Sequence, residues 1–132
     1  MKATADTNVL IRAITGDDAK QSKHAKDALA GADVIALTSP TLCELVWVLA
    51  RGYRVPSSDI CEAIRRLMNT ANVAMNRPAV EMGLAVLEAG GDFADGVIAH
   101  EGRRLGGEVF LSFDKKATEL LEARGARVRL LS

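Results

Sequence analysis

The sequence predicts an α/β domain with helices layered on a mainly parallel sheet, and three observations predict it. Short apolar runs of strand type alternate with longer segments of helical period, and parallel neighbours need crossover connections of this kind. Apolar residues make up 48% of the chain but only five residues are aromatic, so Ala, Val, Leu and Ile must fill the core, which favours helices packed on a sheet. At 132 residues, with no Pro, Gly or Ser-rich stretch long enough for a linker, the chain has the size of one domain, 1–132.

Residues 2–5 read as a short strand, followed by a helix over 7–15 that stops at Gly16. A second helix starts at Asp17 and runs to about residue 30, with Gly31 as its stop and Lys20, Lys23, Lys26 and Asp27 marking its solvent face. Residues 34–37 form a buried strand. Ser39-Pro40 signals a helix start, Ser as N-cap and Pro at the first helical position, for a helix reaching about Tyr53. After Pro56-Ser57-Ser58 resets the chain, residues 59 to about 70 place Ile60, Ile64 and Leu67 on one helical face, and 73–75 form a third short strand. Pro78 opens a helix ending near Gly90-Gly91, and residues 94–105 form another that ends at Gly106-Gly107. Residues 109–112 are a strand, 115–124 a helix closed by Gly125, and 128–131 a last strand.

The start, Met1-Lys2-Ala3-Thr4-Ala5-Asp6, has no apolar signal core, and no stretch approaches the ~20 apolar residues that span a bilayer, which predicts a soluble, cytoplasmic protein. Cys43 and Cys61 lack the spacing of a zinc site and the density of a disulfide scaffold, and read as buried thiols in a reducing compartment. Formal net charge is zero, which argues at first against a nucleic-acid partner. If Asp6, Glu44, Asp92, Asp95 and Asp114 converge on metal, however, removing those five from the 17 acidic residues leaves 12 against 17 basic ones, a modestly basic remainder.

Asp6 and Asp114 each follow a strand and precede a helix, at the edge where open α/β sheets bind ligands. Taken singly, each reads first as an N-cap. Glu44 is the only charge between Pro40 and Arg51; a helix apolar nearly all round is buried, and a buried carboxylate must be protonated, paired or bound to metal. A place on a thin polar edge is the other reading of Glu44. Asp92 and Asp95 stand three apart at a helix entry, Asp92 the better cap candidate and Asp95, before Gly96-Val97-Ile98-Ala99, the better functional one.

The combination decides more than any member. Carboxylates about 5 Å apart repel by roughly 3 kcal/mol per pair at an effective dielectric of 20, which a marginally stable domain does not hold without compensation. Oxygen-only donors suit Mg²⁺ or Mn²⁺ rather than zinc, and such sites commonly act on phosphodiesters through metal-activated water. No nucleophile elbow, P-loop, His-Glu-x-x-His or paired-cysteine motif competes, and His24 and His100, among charged neighbours, read as solvated.

Four blocks in this order and spacing resemble the PIN-domain family, specifically VapC-type toxins of bacterial toxin–antitoxin pairs, over nearly the whole chain. They are Asp6-Thr7-Asn8, Glu44 before Trp47, Asp92-Phe93-Ala94-Asp95-Gly96-Val97-Ile98-Ala99, and Phe110-Leu111-Ser112-Phe113-Asp114-Lys115-Lys116. The resemblance implies a three-layer α/β/α domain and an endoribonuclease dependent on Mg²⁺ or Mn²⁺. It makes Asp6, Glu44, Asp95 and Asp114 the acidic pocket, Asp6 and Asp95 the direct metal ligands, and Thr7, Asn8 and Ser112 supports through hydrogen bonds, with Asp92 auxiliary. It implies a homodimer and a small antitoxin that covers the pocket. Gly96 stands where the family often has Ala, with little consequence expected beyond helix stability.

In that mechanism metal-bound water attacks an RNA phosphate in line, and Arg12, Arg51, Arg54, Arg103 and Arg104 are the candidates to steer phosphates, although each is ordinary as a solvent-facing cation. Trp47 could stack on a base, but in an apolar helix it reads first as core or dimer interface. Two competing readings are another metal phosphohydrolase, such as a DNase, and a non-catalytic module that uses the acids to receive a basic partner segment. Asn8, two residues after the first acid, counts against an aspartyl-phosphate phosphatase, which would want Asp there.

Overall fold

The computed structural model describes residues 1–132 as two compact units, residues 1–76 and 77–132. Every strand pairing is parallel, as the alternation of elements predicts.

The first unit holds strand β1 (Lys2–Thr4), helices α1 (Thr7–Thr15) and α2 (Ala19–Gly31), strand β2 (Val34–Ala36), helices α3 (Ser39–Arg51) and α4 (Ser57–Met68), and strand β3 (Val73–Ala74). The three strands form one sheet in the order β1-β2-β3, with Ala3 opposite Ile35 and Ile35 opposite Val73. A helix pair fills each crossover, as parallel neighbours require. Gly16 ends α1 at φ 64°, a left-handed conformation that glycine adopts without strain, and its N–H donates to the Arg12 carbonyl. Helix α3 packs against α1 and α4 through Leu42, Leu45 and Leu49, all fully buried, and Leu10, Ile60 and Ile64 complete this core. Burial of each such side chain contributes about 1.5–3 kcal/mol.

Two predicted starts shift. Thr38, not Ser39, is the N-cap of α3: its backbone is extended and its hydroxyl accepts from the Thr41 N–H at 3.4 Å. Both residue types cap, and Pro40 is tolerated anywhere in the first turn, so the pair alone did not fix the register. Helix α2 begins at Ala19, capped by Asp18, and Asp17 stays outside it because its carboxylate is held by Arg12 and Tyr53. Cys61 is buried, as read, whereas Cys43 is half-buried, and neither forms a disulfide.

The second unit holds helices α5 (Arg77–Glu88) and α6 (Phe93–Arg104), strand β4 (Phe110–Ser112), helix α7 (Lys115–Ala123) and strand β5 (Val128–Leu130), with β4 and β5 forming a two-stranded sheet. Helices α5 and α6 cross at Gly83 and Gly96. A Cβ on Gly96 would lie 2.5 Å from the Met82 carbonyl oxygen and 2.7 Å from the Gly83 Cα. A Cβ on Gly83 would meet the Phe93 ring at 2.8 Å. This corrects the expectation that Gly96 matters little beyond helix propensity: the backbones approach too closely for any side chain there.

Candidate active site

In the first unit Asp6 follows β1 and caps α1. Its backbone is extended, with φ −78° and ψ 158°, Oδ1 accepts from the Thr7 N–H at 2.7 Å, and the residue is exposed. Thr7 is buried and Asn8 exposed.

Glu44 is exposed, which corrects the buried helix expected from its apolar neighbours. Leu42, Leu45, Val46 and Leu49 make up the inward face of α3, and Glu44, Trp47 and Arg51 lie on the outward one. Trp47 is 62% exposed, so it is not core. Glu44 therefore needs no partner to offset burial; it is an available carboxylate on an open helix face.

In the second unit the charges of Asp92 and Asp114 bear on Asp95. Asp95, half-buried in the first turn of α6, has its carboxyl pushed above the ordinary range first by burial and then by the charges of Asp92 and Asp114. Asp92 holds the N-cap position of α6 without any side-chain capping bond, so the helix end leaves its carboxylate uncommitted. Asp114 caps α7, accepting from the Ala117 N–H at 3.0 Å, and its own N–H donates to the Ser112 hydroxyl at 2.9 Å. None of the three carboxylates is ion-paired. Within neither unit do three or more Asp, Glu, His or Cys side chains sit together in metal-coordinating reach. The donor chemistry, carboxylate oxygen throughout, is that of a hard divalent cation.

The candidate arginines divide. Arg12 is committed within the first unit: Nη1 donates to both Asp17 oxygens at 3.0 and 3.1 Å and Nε to Gln21 Oε1 at 2.6 Å. Tyr53 donates its hydroxyl to Asp17 at 2.7 Å, and this bond, with one from Thr15 and the Arg12 charge, holds the Asp17 carboxyl below the ordinary range. Arg51, Arg54, Arg103 and Arg104 are exposed and unpaired. The Arg12–Asp17–Tyr53 network has no sequence signal, because Tyr53 lies 36 residues from Asp17. The outward face of α3 had one: Glu44, Trp47 and Arg51 recur at helical spacing. His24 is exposed and His100 half-buried.

No helix is long and apolar enough to cross a membrane. The family model of the PIN domain matches residues 3–122. No curated protein sequence matches the chain.

Proposed function

This chain belongs to the PIN-domain family, and from that premise we propose that it is an endoribonuclease dependent on Mg²⁺ or Mn²⁺, acting as the VapC-type toxin of a toxin–antitoxin pair. PIN domains are in general nucleases, so phosphodiester hydrolysis is the part of this reading that membership itself supports. The match runs from residue 3 to residue 122, which favours treating 1–132 as one functional domain.

The observation that supports the metal dependence is the uncompensated negative charge at Asp95, whose carboxyl is raised by burial and by the charges of Asp92 and Asp114. A half-buried acid opposed by Asp92 and Asp114, with no cationic side chain paired to any of them, is a site short of positive charge. Asp6, Glu44, Asp95 and Asp114 would hold the cation, Asp6 and Asp95 directly, with Asp92 auxiliary. When bound, the cation supplies charge that eases ionisation of water and stabilises a phosphoryl oxygen. The chain supplies position. The Thr7 N–H fixes the Asp6 carboxylate, and the Ala117 N–H fixes that of Asp114 while Ser112 orients its backbone. The first turn of α6 places Asp95 where the helix dipole favours its charge and partly offsets the cost of burial.

The toxin role, a homodimer, a small antitoxin partner and a cytoplasmic place of action rest on the likeness of the four motif blocks to VapC-type chains. The test is cleavage of total cellular RNA by the purified, partner-free protein in Mg²⁺ and in Mn²⁺, with EDTA and Asp6→Ala as controls. The expected result is discrete cuts that need both metal and Asp6. Cleavage of DNA but not RNA would move the activity to a DNase, and no cleavage by folded protein in either metal would leave a binding role.

A further inference from the structure

The outward face of α3 carries, in order along one stripe, Glu44, Trp47 and Arg51, at spacings of three and four residues, and Arg54 follows in the turn beyond the helix end. Glu44 to Arg51 covers roughly 10 Å along the axis. The indole is 62% exposed, the largest aromatic surface the first unit offers to solvent. Both arginines are exposed and make no ion pair, in contrast to Arg12, which Asp17 neutralises.

Arg54 adds a second observation. It is the only non-glycine residue with positive φ, at 54°, where the chain leaves α3 and the Val55 N–H reaches back to the Leu49 carbonyl at 2.9 Å. Glycine is the residue for such a turn, and a side chain there is held at a cost of about 1 kcal/mol. That cost is tolerated where the side chain has a use beyond the turn.

We propose that this stripe is the single-stranded RNA platform of the enzyme: Trp47 stacks on an unpaired base next to the phosphate attacked beside Glu44, and Arg51 and Arg54 hold the phosphates that follow. The inference rests on the ribonuclease reading of the previous section. Stacking on an aromatic ring accepts any base, and unpaired cations beyond it supply the charge complementarity that a strand requires. A second copy of the chain is the less suited occupant. The stripe offers one large apolar side chain, whereas a stable dimer interface covers about 800 Å² per partner around an apolar centre.

Trp47 is the only tryptophan in the sequence, so its fluorescence reports on this position alone. The experiment titrates the full-length protein, in EDTA so that nothing is cut, with a short unstructured RNA oligonucleotide of mixed sequence, while protein alone is diluted in parallel. Quenching by RNA that weakens with salt, with emission independent of protein concentration, is expected. Arg51→Ala and Arg54→Ala should each flatten the slope of log affinity against log salt by roughly 0.7. Trp47→Ala, followed by anisotropy of a labelled oligonucleotide, should weaken binding roughly 5- to 150-fold, with circular dichroism confirming the fold and Trp47→Phe restoring most of the affinity.

An emission shift on concentration, with no response to RNA, would overturn the proposal in favour of self-association, and silence to both would overturn it outright. RNA cleavage in Mg²⁺ without quenching in EDTA would sink the platform and leave the ribonuclease standing. Quenching without cleavage would do the reverse.

Discussion

Asp95 ionises against a partial loss of water and two neighbouring charges, and the consequence is measurable in metal-free protein. Its folded-state carboxyl titrates above the ordinary value of 3.8, so the folded chain holds that proton more tightly than the unfolded one. The contribution of Asp95 to stability therefore falls as pH rises through the ordinary value and on through the raised one. Asp95→Asn, which never ionises, should gain on the wild type in urea midpoint as pH rises through and above 3.8, by a small margin because solvent screens a half-exposed group. Equal midpoints across that range would show that the repulsion is not felt. At this scale much of the site was legible: Asp6 and Asp114 announced themselves by standing where strands end and helices begin, and Asp95 by standing at a helix entry. The environment of Glu44 was not, because Cys43 and Trp47 count as apolar letters while one is half-buried and the other faces water.

The crossing of α5 and α6 sets two effects of one methyl group against each other. In an isolated helix, replacing glycine by alanine gains about 1 kcal/mol of propensity. At Gly96 that methyl would sit 2.5 Å from a backbone oxygen, and the rigid partner is main chain rather than a side chain that can swing away. Forcing extra volume into such packing costs about 1–3 kcal/mol, so the steric term wins. Gly96→Ala is expected to lower the urea midpoint with the m-value unchanged, and a rise in midpoint would show that the helices separate easily. Element boundaries were legible because Pro40 restricts the backbone while Gly16, Gly90-Gly91, Gly106-Gly107 and Gly125 admit turns that other residues resist. The Thr38 cap and the approach of Gly83 to Gly96 were not, the first because Thr and Ser cap alike, the second because a glycine's neighbours across a crossing leave no mark in its own segment.

Over the whole chain, zero net charge conceals opposed local charges, carboxylates without cations and exposed arginines without acids. Supplying the cation should stabilise the fold. At a concentration ~100-fold above its dissociation constant, Mg²⁺ or Mn²⁺ is expected to add about 2.7 kcal/mol, a melting shift on the order of 10 °C, and Asp6→Ala should abolish most of that shift in calorimetry. An equal shift in the variant would place the metal elsewhere. The alternation of elements made the parallel pairing readable, but the division of five strands into sheets of three and two was not, since it depends on pairings between distant segments. The break at residue 76 also has a meaning in time. Strand β3 completes the first sheet while residues 77–132 are still to be made, an interval of roughly 3 to 11 s at the pace of a ribosome. For that interval the nascent chain carries Asp6 and Glu44 but neither Asp95 nor Asp114, so the ribosome delivers the candidate acids in two instalments.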